Sequence, residues 1–252
     1  MNGHDMATAS AESSGADEYG RWYPLNRYLI GPFLRFLVRV YQPGLANLPE
    51  HGPAILAPNH ISFLDSALLM ATLPRQIKFV GKAEYLDDWK TRTLFPAMGM
   101  IPIDRSGGAA SSAALDAARR VLDDGGLFGI FPEGTRSRDG RLHKGHTGVA
   151  RLALQTGAPI IPVGIVGTRE IQPPDAPRPR PFMPATFAFG KPIDASRSGG
   201  EADDRMALRQ ITDEVMFEIR ALTGQDYVPR YATREPEGAD ASSSTAVLKA
   251  SA

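Results

Sequence analysis

The sequence predicts an α/β domain built on a largely parallel sheet flanked by helices. Three observations support this fold class. Short apolar runs bounded by turn residues alternate with longer helical patterns along the middle of the chain, which is typical of strands joined through helices. The 252 residues are 42% hydrophobic and 22% charged, as in ordinary globular domains. An amphipathic segment rich in arginine precedes this region and predicts an additional N-terminal helix.

The individual elements can be assigned from these patterns in chain order. The predicted strands are Ala54 to Ala57, Ile77 to Gly81, Met100 to Ile103, Leu127 to Phe131, Ile160 to Val166 and Thr186 to Phe189. The predicted helices are Phe63 to Thr72, Asp88 to Phe95, Ser111 to Leu122, Thr147 to Gln155 and Asp203 to Leu222. Gly157 and Pro159 end the fourth of these helices, because neither residue continues a helix well.

We predict one folded domain over residues 44–233, with a disordered tail at each end. Residues 1–19 and 234–252 are small and polar, and they hold too few large apolar side chains to offset the entropy of ordering. Pro173 to Pro184 contains six prolines in twelve residues, so it is neither a helix nor a central strand. We expect a loop or cap that lies over the surface.

Composition excludes several classes of function. The 28 basic residues balance the 28 acidic ones, so the chain lacks the positive charge that nucleic-acid binding requires. The absence of cysteine rules out a thiol nucleophile, a cysteine metal site and disulfides. The first twenty residues lack a basic start followed by an apolar run, so they do not resemble a secretory signal and a cytoplasmic location is expected. The oligomeric state stays open.

Leu25 to Gln42, within residues 20–43, is the most apolar segment of helical length and has no acidic residue. On a helical wheel its arginines share one side, while leucine and aromatic side chains fill the other. An arginine near the centre of a spanning helix, as Arg35 would be, costs about 2.5 to 3.5 kcal/mol. We therefore predict a peripheral or monotopic helix at the cytoplasmic face of a membrane. The alternative is a core helix packed under the sheet.

His60 and Asp65 are the first candidate catalytic residues. Histidine is the side chain best suited to take a proton from a hydroxyl at neutral pH, and a carboxylate can fix its tautomer. An offset of five residues does not place both on one helix face, so we place His60 in a turn. Ser62 would cap the following helix and Asp65 would be its third residue, pointing back to the turn. The same residues are also compatible with a simple capping box.

The second candidate group is the hexapeptide Phe131 to Arg136, which follows an apolar strand. Glu133, Thr135 and Arg136 present an acceptor, a hydroxyl and a planar cation at the end of that strand, and Gly134 shapes the turn. Ligands in open α/β sheets bind beyond the carboxyl ends of the strands. The alternative is an ordinary turn with a surface pair between Glu133 and Arg136.

Lys82 and Arg105 extend this group, because each follows or ends another predicted strand. Together with Arg136 they would deliver three cations to comparable strand ends. Such a cluster can hold a phosphomonoester through charge-assisted hydrogen bonds. Each cation taken alone is also compatible with a solvated surface charge.

Four ordered blocks now resemble the glycerolipid acyltransferase family, especially bacterial 1-acylglycerol-3-phosphate O-acyltransferases. The resemblance covers about residues 48–190. It is carried by Asn59-His60-x4-Asp65, Gly99 to Arg105, Phe131 to Arg136 and Ile161-Pro-Val-Gly164.

That family implies a role for each block. The histidine of the first block acts as the base and the aspartate orients it, which assigns these roles to His60 and Asp65. Arg105 and the third block, including Glu133, Gly134 and Arg136, would bind the acyl acceptor and its phosphate. The fourth block, Ile161 to Val163, would line the acyl site. The implied partners are membrane lipids, a lysophospholipid acceptor and an acyl thioester donor, either acyl-CoA or acyl carrier protein, with no further cofactor.

Other features of the sequence agree with direct attack by an acceptor hydroxyl. There is no Gly-x-Ser-x-Gly nucleophile elbow, so a lipid hydrolase is disfavoured. Oxyanion donors are expected in backbone N–H groups, with the Gly134 turn as the candidate. His143 and His146 lack an ordered third ligand, so we predict no metal site. Open alternatives are another lysophospholipid or glycolipid acceptor, a transacylase, or a non-catalytic lipid-binding protein on this fold.

Overall fold

The computed structural model describes residues 28–29, 31–82, 99–103, 110–173, 176 and 178–233. Within these ranges the strands are β1 Arg39–Tyr41, β2 Ala54–Pro58, β3 Ile77–Lys82, β4 Met100–Ile103, β5 Leu127–Gly129, β6 Leu142–His143, β7 Ile160–Val166, β8 Pro184–Phe189 and β9 Tyr227–Val228. The α-helices are α1 Gly31–Leu37, α2 Leu64–Thr72, α3 Ala110–Asp123, α4 Gly148–Thr156, α5 Thr168–Ile171 and α6 Arg205–Thr223.

The described strands form one large sheet in the order β1-β8-β7-β2-β5-β3-β4, and β6 pairs with β9 in a separate two-stranded sheet. Neighbours in the large sheet are parallel except for β7 and β8, which are antiparallel. The carboxyl ends of β2, β3, β4, β5 and β7 therefore lie along one edge. The predicted α/β fold with a largely parallel sheet is confirmed.

Helices cover both faces of the sheet, and β2 shows how the two cores are divided. Ala54 and Leu56 belong to the core shared with α2, while Ile55 and Ala57 belong to the core shared with α3, α4 and α6. Alternate residues of a strand point to opposite faces, so a strand buried on both faces must be apolar throughout. All five residues of β2 are buried.

The long predicted elements lie where the sequence placed them. The strands Met100–Ile103 and Ile160–Val166 have the predicted bounds, and the other assigned strands and helices differ by a few residues at their ends. The short elements β1, β6, β9 and α5 were not predicted. The helix expected at Asp88 to Phe95 and both predicted tails lie outside the described residues.

The helix predicted to run from Leu25 to Gln42 is wrong in its last part. The described helix ends at Leu37, and Arg39–Tyr41 is a strand that pairs in parallel with β8. Val38, between them, is buried. The Arg39 N–H donates to the Met183 carbonyl at 3.1 Å, and β-branched residues on both sides of Arg39 suit a strand edge. Among the described residues, no helix combines the length and apolar character that a membrane span requires.

Pro184 begins β8, between β1 and β7 in the sheet, but the rest of the proline-rich segment is a loop where it is described, as predicted. It connects α5 to β8 and returns over the end of α1. The Phe182 N–H donates to the Leu37 carbonyl at 2.6 Å, and the Arg180 N–H donates to the Ile171 carbonyl at 2.7 Å. The ring of Phe182 meets that of Phe36 edge to face, with centroids 5.8 Å apart.

Candidate active site

His60 lies in the turn that follows β2, as predicted, and Asn59 fixes the start of that turn. The Asn59 side chain is fully buried and pairs with the backbone of β7: Oδ1 accepts from Ile165 N at 2.6 Å and Nδ2 donates to Ile165 O at 3.0 Å. Nδ2 also donates to Gln225 Oε1 at 2.9 Å, just beyond α6. The Asn59 side chain thus continues the hydrogen bonding to β7 beyond the end of β2, which fixes the position of the adjacent His60.

Asp65 holds the imidazole of His60 and the backbone around it. His60 Nδ1 lies 2.9 Å from Asp65 Oδ2, which also accepts from the N–H groups of Ile61 at 2.7 Å and Ser62 at 2.8 Å. Asp65 is fully buried, whereas the His60 side chain is 17% exposed. With Nδ1 bonded to the carboxylate, Nε2 is the ring nitrogen left to accept a proton.

The predicted cap of α2 is wrong in its positions. Helix α2 begins at Leu64, so Asp65 is its second residue and not its third, and the N-cap is Phe63, which makes no side-chain cap hydrogen bond. Ser62 Oγ accepts from Leu64 N at 3.3 Å, and Asp65 bonds the Ser62 N–H in the turn before the helix. The Asp65 carboxylate therefore holds both this turn and the histidine.

The imidazole also rests on an aromatic stack that the sequence did not indicate. The Phe131 ring lies 3.8 Å from that of His60 with planes 16° apart. Phe79 of β3 stacks in turn on Phe131, with ring centroids 5.4 Å apart and planes 22° apart. The hexapeptide thus supports the ring of the first block through its leading phenylalanine.

Glu133 joins the turn after β2 to strand β6 through backbone hydrogen bonds. Its side chain is 1% exposed, Oε2 accepts from His60 N at 2.9 Å and Oε1 accepts from His143 N at 3.0 Å. Burial raises the pKa of Glu133 to about 7, although these two hydrogen bonds act to lower it. Both oxygens are engaged with the protein, and the acceptor contact assigned to Glu133 from the sequence stays a prediction.

The backbone of His60 is held from both sides by the hexapeptide loop. Its N–H donates to Glu133, and its carbonyl accepts from Ser137 N at 2.7 Å. Residues on either side of Arg136 are therefore fixed against the turn that carries the imidazole. Arg136 itself is partly exposed and directly precedes Ser137 in the chain.

The Gly134 turn has a strict backbone requirement. Gly134 has φ 73°, a region that L side chains rarely adopt, and its N–H donates to the Phe131 carbonyl at 3.0 Å. Because the Gly134 N–H is already bonded to that carbonyl, an oxyanion donor from another backbone N–H of this turn stays a prediction. Thr135 is partly exposed between Gly134 and Arg136.

The predicted cation cluster is described only in part. The backbone of Lys82 ends β3, which pairs with β5 on one side and β4 on the other. Arg105 lies outside the described residues. A phosphate site formed by Lys82, Arg105 and Arg136 stays a prediction, with the strand ends arranged along a common edge as it requires.

The remaining candidate residues are buried or make contacts with other parts of the protein. Ile161 and Val163 are fully buried in β7, and their expected contact with an acyl chain stays a prediction. His143 Nε2 bonds Asp139 Oδ1 at 3.0 Å, and the His146 ring stacks on Tyr231 at 4.4 Å. No group of three or more metal-ligating side chains occurs within the part of the chain that the structure describes.

Known proteins are similar to this chain in sequence. 1-acyl-sn-glycerol-3-phosphate acyltransferases match at 34% identity over 131 residues in Arabidopsis thaliana, 30% over 131 in Borreliella burgdorferi and 38% over 141 in Limnanthes douglasii. These matches take in 52%, 52% and 56% of this chain. They span only 36%, 52% and 50% of the relatives' own lengths.

A solved structure has a similar fold. The crystal structure of PlsC, the 1-acyl-sn-glycerophosphate acyltransferase of Thermotoga maritima, superposes with a TM-score of 0.58 over 86% of this chain and 82% of that one. At 22% identity this likeness concerns the fold alone. The sequence model described as Acyltransferase matches residues 39–166, which include β2, His60, Asp65 and the hexapeptide. The chain belongs to the acyltransferase family.

Proposed function

We propose that this chain transfers a fatty acyl group from an acyl thioester to the free hydroxyl of a lysophospholipid. The favoured acceptor is 1-acylglycerol-3-phosphate, which would give phosphatidic acid. The observation that carries the proposal is the pair formed by His60 Nδ1 and the buried Asp65 carboxylate, 2.9 Å apart at the carboxyl edge of the sheet. The relatives named as 1-acyl-sn-glycerol-3-phosphate acyltransferases support the choice of acceptor.

The reaction follows from the tautomer that Asp65 favours. His60 Nε2 takes the proton of the acceptor hydroxyl while the oxygen attacks the thioester carbonyl. The Asp65 carboxylate stabilises the imidazolium that forms on the ring. When the tetrahedral intermediate collapses, the carbon–sulfur bond breaks and the leaving thiolate takes the proton back from Nε2. An ester and a free thiol result, and His60 returns to its starting state.

The phosphate of the acceptor would be held beside this pair by Arg136, with Lys82 and Arg105. Arginine suits the task because its planar guanidinium can bind two phosphate oxygens at once. The hydrogen bonds that join the hexapeptide to both backbone groups of His60 support this arrangement. They hold the backbone on both sides of Arg136 against the turn of His60, from where Arg136 would orient one hydroxyl of the acceptor toward Nε2.

The test is a panel of purified lysolipid acceptors, assayed with acyl-CoA and with acyl carrier protein, with products identified by mass. We expect 1-acylglycerol-3-phosphate to be acylated, and His60→Ala to lower kcat by at least about 10²-fold, the usual contribution of a general base. His51→Ala is the matched control, because His51 is exposed on the loop before β2. A His60→Ala enzyme with normal kcat contradicts the mechanism.

We also propose that the protein docks on the cytoplasmic face of a membrane through α1 and the proline-rich loop. Leu29, Phe33 and Phe36 are spaced as neighbours on one side of a helix, and they are 63%, 60% and 70% exposed. Phe182 extends this patch from the loop, and the exposed Arg39 and Arg180 lie beside it in the chain. Aromatic side chains flanked by arginine suit an anionic lipid surface.

Point substitutions test this docking, because removing residues 1–42 would also remove β1 from the sheet. We expect Phe36→Ser with Phe182→Ser to reduce sedimentation with vesicles that contain phosphatidylglycerol. Phe217→Ser is the control, since Phe217 is 66% exposed on α6 at the other face of the sheet. Unchanged sedimentation of the double variant contradicts docking at this patch.

A further inference from the structure

The Asp65 carboxylate has a hydrogen-bond donor that neither the family blocks nor the sequence pattern includes. Thr168 Oγ1 donates to Asp65 Oδ1 at 2.6 Å across 103 residues of sequence, and both side chains are fully buried. Asp65 Oδ2 is the oxygen that meets His60 Nδ1 and two backbone N–H groups. The two oxygens of one carboxylate thus face different partners, and Thr168 holds the one that does not touch the histidine.

The backbone at Thr168 is fixed by a close approach. The preceding Gly167 has φ 93°, and a Cβ on it would lie 2.4 Å from the carbonyl oxygen of Pro184. Thr168 then begins α5, whose Ile171 is fully buried. A second bond ties α5 to the turn after β2, because Ser62 Oγ donates to the Gln172 carbonyl at 3.3 Å.

Other buried or half-buried threonines of the chain use their hydroxyls differently. The hydroxyls of Thr72, Thr156, Thr212 and Thr223 each donate to the carbonyl four residues earlier in their own helix. Thr168 is the first residue of its helix and has no helical carbonyl behind it. Its hydroxyl points instead at the carboxylate, which is the strongest acceptor within its reach.

We propose that Thr168 is a positioning residue, which sets the rotation of the Asp65 carboxylate so that Oδ2 stays aimed at His60 Nδ1. The inference rests on the proposed acyl transfer. Without the Thr168 hydroxyl, Oδ1 is a buried anionic oxygen that has lost its side-chain donor, and such a loss is costly. The carboxylate then turns or draws in another donor, and the imidazolium formed during the reaction is less well stabilised.

The test compares three substitutions in the full chain. Thr168→Val removes the hydroxyl at nearly constant volume, and Thr168→Ser keeps it. Thr212→Val is the matched control, because Thr212 is also fully buried and loses a hydroxyl bonded at 2.7 Å to the Leu208 carbonyl, away from the site. Activity is measured as kcat and as KM for the lysophospholipid, across a range of pH.

We expect Thr168→Val to lower kcat by about ten- to a hundredfold, as small misplacements of catalytic groups do, with KM changed by less than about twofold. The acidic limb of the pH profile should move to lower pH, because a less stabilised imidazolium loses its proton more readily. Thr168→Ser should restore kcat and the profile. Thr212→Val should lose stability without changing either.

The inference is overturned when Thr168→Val keeps the wild-type kcat and pH profile, or when Thr168→Ser fails to rescue them. Those results leave the acyl transfer standing provided that His60→Ala is inactive; an active His60→Ala enzyme contradicts the proposed function instead. If Thr168→Val does not fold, Thr168→Cys replaces the hydroxyl by a weaker donor. We then expect a kcat below that of Thr168→Ser, and equal values overturn the inference.

Discussion

Asp65 and Glu133 are both carboxylates that the fold buries almost completely, yet Asp65 bonds the side chains of His60 and Thr168, whereas Glu133 bonds backbone N–H groups. Asp65 Oδ2 is bonded within the turn after β2, to residues three to five positions before it. Glu133 bonds His60, which is 73 residues away, and His143 in the following strand. The Asp65 carboxylate orients a side chain, whereas the Glu133 carboxylate aligns the turn after β2 with strand β6.

The difference also concerns charge. Asp65 lies in the first turn of α2 beside an imidazole that becomes positive during the proposed reaction. Glu133 has two backbone N–H donors, but burial dominates and raises its pKa to about 7. Burial alone therefore does not define a catalytic carboxylate; the chemistry depends on whether its partner can take up a proton.

The largest expected effect separates the two carboxylates by function. Asp65→Asn should lower kcat by about 10³- to 10⁴-fold, because the amide no longer selects the tautomer with a free Nε2. Steady-state kinetics measure the loss, and thermal unfolding shows that the fold survives. Asp139→Asn is the matched control, since Asp139 also pairs with a histidine, His143, at 3.0 Å. Equal kcat values for these two variants would remove the distinction.

An intermediate effect is expected for Glu133→Gln. Glutamine offers one oxygen to the two N–H groups that Glu133 bonds, so one of them is left facing an NH₂ group. The free energy of unfolding should fall by about 1 to 3 kcal/mol at low pH, the cost of a buried unpaired donor. We expect kcat to fall less than in Asp65→Asn. Denaturant unfolding measures the loss of stability, and steady-state kinetics on the same preparation measure kcat. A larger loss of kcat in Glu133→Gln than in Asp65→Asn would contradict the distinction between the two carboxylates.

The pH dependence of stability sharpens the same contrast. The Glu133 pKa is raised from 4.5 to about 7 in the folded protein, so the native state retains a proton that the unfolded state has lost between those values. The contribution of Glu133 to the free energy of unfolding is therefore present below about pH 4.5 and declines as pH rises to about 7. Glu133→Gln should flatten this decline in denaturant titrations. An identical slope in both proteins contradicts the raised pKa.

The smallest expected effect concerns the ring beneath His60. Phe131→Leu removes the stack at 3.8 Å but leaves the hydrogen bonds to His60 in place. Aromatic pairs contribute about 0.5 to 1.5 kcal/mol beyond burial, so kcat should fall by about two- to tenfold. Phe217→Leu on the exposed face of α6 is the control. A loss as large as that of Asp65→Asn would mean that stacking, and not the carboxylate, orients the imidazole.

Much of the fold was predictable from the sequence because several strands of the large sheet are continuous apolar runs. Strands Met100–Ile103 and Ile160–Val166 are bounded by glycine, proline or polar residues, which mark their ends. Strand β1 was not predictable, since the helical period of the arginine-rich segment continues through it. Its strand conformation depends on pairing with β8, some 145 residues later in the chain. The local hydrophobic pattern does not predict pairing with so distant a strand.

The candidate site was predictable only where its contacts are local. His60 and Asp65 are five residues apart, and the capping pattern pointed to their contact. Phe131, the backbone contacts of Glu133 and the Thr168 hydroxyl reach this pair from more than seventy residues away. None of these three has a spacing rule that connects it with His60.

The central position of β2 has a consequence for the synthesis of the protein. Its two neighbours in the sheet are β5 and β7. Ile55 can therefore pair with Phe128 and Ile160 only after both of these later strands have been made. When the ribosome has made His60 and Asp65, the residues that will surround them in the folded protein are still missing. Gln225, which bonds Asn59 at the start of the turn, comes 166 residues after it. Such distant pairings slow folding. A nascent chain stopped before β7 would carry His60 and Asp65 without the strand that holds Asn59 in place.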